Sequence, residues 1–260
     1  MSFNDYHTHT TFSDGRDSMS TMCREAVSLG MEEIAFTEHA EWVNGRTGFF
    51  SHPPDYFHVL ERNQDHFAPH GLRVLSGVEI GNPHEHEKDA SLLLSSYQFD
   101  VVIGSMHWLY GENIHNINCF VNRDPIKVYQ DYFRESAVMV RNFNFQILAH
   151  TDRIFLRGAQ LGILPTAPQI ETEVRDMLDA LIETDTAFEI NCRLLSARQH
   201  WNTLLLRMLM WYKEAGGNKI VINSDAHQTK HLPMNRDVAA DLVHRAGLKD
   251  AVQTHLLSSP

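Results

Sequence analysis

Residues 219–227 read KIVINSDAH, a short apolar, β-branched run that ends on two metal-ligating side chains, Asp225 and His227. Isoleucine and valine favour strands. A run this short and this apolar suits a strand buried on both faces, as in a parallel sheet. Working outward, the same design recurs. FNDYHTH (3–9) ends on His7 and His9, EEIAFTEH (32–39) on His39, and LRVLSGVEIG (72–81) carries Glu79. FDVVIGSMH (99–107) ends on His107 and FQILAH (145–150) on His150, while AFEIN (187–191) reads as the sixth of seven strands. In a barrel or sheet of parallel strands all C-terminal strand ends open on one face, where active sites collect. Residues more than two hundred positions apart therefore converge on one pocket, and a His, Asp and Glu cluster there is best explained by divalent metal.

Helix-like stretches alternate with these strands. Ser18 is a candidate N-cap for MSTMCREAVSLG, and Asp124-Pro125 opens IKVYQDYFRESAVMVRNF. DYFHVLERNQDHF (55–67), HEHEKDASLLLSSY (84–97), QIETEVRDMLDALIET (169–184), WNTLLLRMLMWYKEAG (201–216) and RDVAADLVHRAG (236–247) read as further helices. The stretch with Gly158, Gly162, Pro165 and Pro168 reads as a loop. Seven βα units in alternation predict a right-handed, mostly parallel arrangement. With 260 residues and no repeat or linker, the expectation is one domain over 1–260, a closed or nearly closed barrel.

A hydrophobic content of 43% with 21% charged residues is ordinary globular composition. The formal net charge of −11 argues against a long nucleic-acid partner, which calls for a basic stripe. It does not oppose a small anion, because bound cations reverse the local field. Cys23, Cys119 and Cys192 are few and unpatterned, which suits a reducing cytoplasm. Neither a secretory signal nor a run of membrane-spanning length is visible, so no membrane partner is expected.

Each candidate has a plainer alternative. His7-x-His9 on a strand puts both rings on one face, yet an isolated HxH is a weak signal. Asp14-Gly15 alone is a turn. Glu79 ends an apolar run, where a carboxylate is costly to bury without a cation or partner, although a rim salt bridge would also serve. A single strand-end histidine such as His107 or His150 is more often a hydrogen-bonded core residue than a ligand. Asp225-Ala226-His227 repeats the one-residue spacing of the first strand. What the plainer alternatives leave unexplained is the coincidence of all of these at strand ends.

In order, HTH (7–9), SDG (13–15), TEH (37–39), GVE (77–79), SMH (105–107), AH (149–150) and SDAH (224–227) resemble the motif set of the PHP (polymerase and histidinol phosphatase) superfamily, from Tyr6 to His227. The resemblance implies an α/β fold, a distorted (β/α)7 barrel, with two or three divalent ions, Zn, Mn or Fe. It implies His7, His9, Glu79 and Asp225 on one metal, with Glu79 bridging to a second held also by His107 and His150. Asp14, His39 and His227 would hold the third. Aspartate at position 14, where many members have histidine, is common in the histidinol-phosphatase branch. Glu38 stands where aspartate commonly precedes the histidine, which alters no ligand.

Adjacent divalent ions lower the pKa of a shared water and neutralise a phosphoryl group. No Ser or Cys nucleophile signature is present, which favours direct attack by hydroxide. Phosphate needs further donors, and Arg153 and Arg193 are the candidates, solvated loop arginines being the alternative. Glu79, Asp225, Arg153 and Arg193 are the expected catalytic set. Glu41 and Trp42, just past His39, are candidates for contact with a cationic or aromatic leaving group, or are simply packing. The leading expectation is hydrolysis of L-histidinol phosphate, a small phosphorylated metabolite of histidine biosynthesis. Alternatives are a PHP phosphoesterase acting on nucleotides, short nucleic acids or phosphotyrosyl protein, and a non-catalytic metal-binding module. An amidohydrolase also begins with HxH, but its pattern lacks the bridging Glu79 and the SMH element. Specificity is expected in the loops around 40–56, 110–124 and 153–168.

Overall fold

The computed structural model describes residues 3–42, 53–196 and 200–256. Six parallel strands curl into a half-barrel: β1 (Glu33–Ala40), β2 (Arg73–Gly81), β3 (Val101–Ser105), β6 (Ile147–Leu148), β7 (Ala187–Asn191) and β8 (Ile220–Asn223). They lie side by side in chain order, as right-handed βα units require. A small antiparallel hairpin, β4 (Trp108–Leu109) with β5 (Glu112–Asn113), sits on the loop after β3 and is not foreseen in the sequence. β1 is buried at every position and β2 at all but its first, as expected of strands covered on both faces.

The segment containing His7 and His9 is expected to be a continuous strand, and here the structure differs. Residues 5–9 make only isolated bridges, Asp5 to Ile34 on β1 and Thr8 to Ala226 just past β8. The reason is that side chains take the amides a ladder would use. Tyr6 N donates to Asn223 Oδ1, His7 N to Asp5 Oδ1 and Thr8 N to Thr37 Oγ1, at 3.0–3.2 Å. The segment nevertheless occupies the seventh position, bonded to both edges of the sheet: Ala35 N donates to Asp5 O and His9 N to Ala226 O.

Helices α1 (Met19–Ser28), α2 (Pro53–Phe67), α3 (Glu87–Ser96), α4 (Pro125–Asn142), α5 (Arg153–Leu161), α6 (Ala167–Glu183), α7 (Asn202–Glu214) and α8 (Arg236–Ala246) complete the fold. The foreseen caps are present: Ser18 accepts from Thr21 N, and Asp124 accepts from Ile126 N with Pro125 in the first turn. α5 corrects the loop expected from Gly158. That glycine lies within the helix because Tyr129 packs on it, and a Cβ there would overlap the Tyr129 hydroxyl. No helix among the described residues is long and apolar enough to cross a membrane.

Candidate metal centre

Glu79, buried on β2, pairs in register with His39 on β1 and Ile103 on β3. Its two oxygens face different ways. Oε2 lies 2.9 Å from His39 Nδ1 and 3.3 Å from both His7 Nε2 and His9 Nε2. Oε1 lies 2.8 Å from His150 Nε2 and 3.2 Å from His107 Nε2, and accepts the Ser105 hydroxyl at 2.5 Å. That is the arrangement of a carboxylate shared between two histidine groups. Asp225 Oδ1 approaches His9 Nε2 at 3.5 Å, and Asp14 Oδ1 approaches His227 Nε2 at 3.0 Å and His39 Nε2 at 3.5 Å.

All nine candidate ligands fall into four overlapping groups, within each of which the ligand atoms lie within 4.8 Å of one another. These are His9, Asp14, His39 and His227; His7, His9 and Glu79; His7, His150 and Asp225; and His39, Glu79 and His107. Every one of these side chains except Asp14 is buried or nearly so. His7 Nε2, both ring nitrogens of His9, His107 Nε2 and Glu79 Oε2 are buried without a hydrogen-bond partner. Polar atoms left so are costly. Imidazole nitrogens converging with carboxylate oxygens are the donor set of a borderline divalent cation, so the residues fit one.

The electrostatics divide the rings: Glu79 and its fellow carboxylates hold His7, His39 and His107 above the usual imidazole value against their burial, while His9 and His150 are held below it. Burial opposes charge on Glu79, yet His39, His7 and His107 hold its carboxyl well below the usual range. Burial, with His39 beside it, holds His9 well below the usual imidazole value. Burial and Arg153 bring His150 down to about 4. Asp225 is likewise held low against its burial, by Arg153 and the neighbouring histidines.

Behind these groups stands a second set of polar residues. Glu41 places one oxygen 2.6 Å from His107 Nδ1 and accepts Trp108 Nε1 with the other at 3.0 Å. Gly81 makes the approach possible: a Cβ there would lie 3.0 Å from Glu41 Cγ and 3.2 Å from His107 Nδ1. Glu38 accepts from Thr10 N, from the Thr10 hydroxyl at 2.5 Å and from the Ser13 hydroxyl, tying down the turn that carries Asp14. Gly15 closes that turn, for a Cβ would meet His9 O at 2.5 Å.

Arg153 and Arg193 both reach Asp225. Arg153 Nη2 lies 2.7 Å from Oδ2, and Arg193 Nη1 lies 3.2 Å from the Asp225 carbonyl and contacts His227 Nδ1. Arg153 is buried at the start of α5, whereas Arg193 is half-exposed. The Trp42 ring lies near that of His86, centroids 6.3 Å apart and planes inclined by 41°. Of the loop around 40–56, residues 43–52 lie outside the described residues.

Sequence reasoning missed Glu189. This buried carboxylate on β7 lies 2.8 Å from His7 Nδ1 and accepts His150 N at 2.8 Å. The signal was available as a charged residue inside the apolar run AFEIN, the same anomaly that marks Glu79.

A parallel α/β half-barrel whose strand ends carry a carboxylate-bridged cluster of histidines defines a divalent-metal centre of the kind that supports hydrolysis. The chain belongs to the PHP domain family, whose model matches residues 5–193. It is 26% identical over 252 residues to the histidinol-phosphatase of Lactococcus lactis subsp. lactis, covering 95% of this chain and 92% of that protein. It is 26% identical to a probable histidinol-phosphatase of Clostridium acetobutylicum, covering 94% of each. The fold matches the crystal structure of the L. lactis histidinol phosphate phosphatase complexed with zinc, L-histidinol and phosphate. That match has a TM-score of 0.84 at 24% identity, over 95% of this chain and 94% of the other.

Proposed function

We propose that this chain is a metal-dependent phosphomonoesterase that hydrolyses L-histidinol phosphate to L-histidinol and phosphate. The observation that carries the reading is Glu79, one oxygen facing His7, His9 and His39 and the other facing His107 and His150, with two arginines converging on the same Asp225. Alignment with histidinol-phosphatases along nearly the whole chain supports this substrate over others.

His7, His9, Asp14, His39, Glu79, His107, His150, Asp225 and His227 would hold two or three divalent ions, with zinc, manganese or iron all compatible with the donor set. Bound there, such ions lower the pKa of a water and offset phosphoryl charge. The chain's own residues do the rest. Arg153, fixed against Asp225, and Arg193, at the mouth, offer planar forks to the phosphoryl oxygens. Glu41 holds the His107 ring with one oxygen and Trp108 with the other, so a contact with the substrate amine competes with those two bonds. Trp42 and His86 offer an aromatic edge to the imidazole of the leaving group.

The test is a panel of histidinol phosphate, AMP, a dinucleotide and a phosphotyrosyl peptide with metal-loaded protein. Histidinol phosphate should lead in kcat/KM by about 10²-fold or more, the discrimination that paired polar contacts supply. If AMP or the dinucleotide leads by a similar margin, the substrate reading falls and a nucleotide phosphoesterase replaces it.

A further inference from the structure

β7 supplies none of the nine candidate ligands, yet it carries two buried polar residues, Glu189 and Asn191, that point the same way because side chains alternate along a strand. Each Glu189 oxygen meets two nitrogens. Oε1 lies 2.8 Å from His7 Nδ1 and 2.9 Å from Asn223 Nδ2, and Oε2 lies 2.8 Å from His150 N and 3.3 Å from Asn191 Nδ2.

Three of these four nitrogens are unambiguous donors. His150 N is a backbone amide. Asn223 Oδ1 is taken by Tyr6 N, which turns its Nδ2 toward Glu189. Asn191 Oδ1 is taken by Arg193 N, which turns its Nδ2 toward Glu189 and Asp225. Both carboxylate oxygens therefore accept. A bare His7 Nδ1 at 2.8 Å would set lone pair against lone pair, so this nitrogen carries the proton. The other ring nitrogen, Nε2, is the one turned toward Glu79 and Asp225, 3.3 Å from Glu79 Oε2 and 4.0 Å from Asp225 Oδ1. His150 adds a second demand, since its φ of 30° is one that residues other than glycine rarely adopt. Its amide is held by Glu189.

We propose that Glu189 is a positioning residue that selects the metal-binding tautomer of His7 and pins the left-handed backbone of His150, with Asn191 steadying it. The inference rests on the reading of His7 and His150 as metal ligands. Outer carboxylates behind metal-bound histidines raise affinity by fixing the tautomer and ring orientation. The site also makes glutamine a poor substitute. Its amide nitrogen must face either His7 and Asn223 or His150 and Asn191, setting donor against donor.

The experiment is chelator competition on zinc-loaded wild type, Glu189→Gln and Glu189→Ala, with far-UV circular dichroism confirming the fold. Long-range ¹H–¹⁵N NMR of the histidine rings in wild type accompanies it. Zinc affinity should fall about 10–100-fold in both variants, the usual effect of losing such a partner. The spectrum should show His7 protonated at Nδ1. Folded variants that hold zinc within twofold of wild type overturn the inference, and so does a wild-type His7 protonated at Nε2. If both variants fail to fold, the wild-type spectrum decides. His7→Ala separates the two readings. If it leaves zinc content unchanged, the ligand assignment itself falls and takes this inference with it. Weakened zinc binding in His7→Ala beside unchanged binding in Glu189→Gln overturns the inference alone.

Discussion

Around Glu79, the inner histidines are braced from behind: His7 by Glu189, His107 by Glu41, and the His150 amide again by Glu189. At the mouth, Asp14 sits on a turn with its side chain 41% exposed, while Glu79 is fully buried. The carboxylate of Glu38 steadies that turn through Thr10 and Ser13. Preorganised ligands lose little freedom when a cation binds, whereas loosely held ones must be ordered at that moment. The inner candidate ligands are thus the buried and braced ones, and the Asp14 turn is the exposed side of the cluster.

The largest expected effect comes from removing the carboxylate that faces both inner histidine groups. Glu79→Gln should lower metal content and lower kcat on the order of 10²–10³-fold, with KM changed far less. Elemental analysis with steady-state kinetics checks it, and full metal content with wild-type turnover would leave Glu79 a structural carboxylate. Next come the arginines. Arg153→Ala, which removes a buried and fixed donor, should weaken inhibition by inorganic phosphate about tenfold, the cost of one charge-assisted contact. Arg193→Ala, half-exposed at the rim, should cost less, and phosphate inhibition unchanged in both variants excludes them from phosphate binding.

Asp14→Asn should break the comparison on one side only. One ion should leave the rim, with its zinc affinity reduced about tenfold, while the inner ions stay through the same chelator titration. Loss of all ions together would show that the halves are not separable.

The smallest effect concerns pH. Burial opposes charge on His107, but Glu79 and Glu41 prevail and raise its pKa to about 9. The folded value lies above the unfolded one of roughly 6.5, so charged His107 stabilises the chelator-stripped protein fully below that pH. The contribution disappears as pH rises through about 9. Thermal unfolding of stripped protein should show Tm falling by a few degrees over that window, an order-of-magnitude expectation for a single group. Metal-loaded protein, with that ring engaged, should lack the fall. A flat profile for stripped protein would show that the inner carboxylates do not hold His107 charged.

Much of this was legible because a parallel sheet converts strand endings into a shared place. KIVINSDAH and its counterparts bring eight of the nine residues together at strand ends, and only Asp14 comes from a turn. Besides the β4–β5 hairpin, three features were not legible, each for a physical reason. Residues 5–9 have strand character in sequence, but Asn223, Thr37 and their own Asp5 compete for the amides. Gly158 reads as a breaker, although its missing Cβ makes room for Tyr129. Glu189 and Asn191 flank Ile190 at the strand period, yet nothing in AFEIN says that the polar face looks toward the metal centre rather than a surface. A motif search finds residues that touch an ion, and the residues that hold those in place carry no spacing of their own.

The closure of the ring by residues 5–9 has a consequence for how the protein is made. Tyr6 N reaches Asn223 Oδ1 across 217 positions, and Ser224 N reaches the Asp5 carboxylate across 219. During synthesis the chain emerges N-terminal end first, at roughly 5–20 residues per second. His7 and His9 thus leave the ribosome more than two hundred residues before Asp225 and His227. Contacts so distant in sequence carry a loop-closure cost that is met late in folding. The full set of candidate ligand groups therefore comes together only after translation has passed β8.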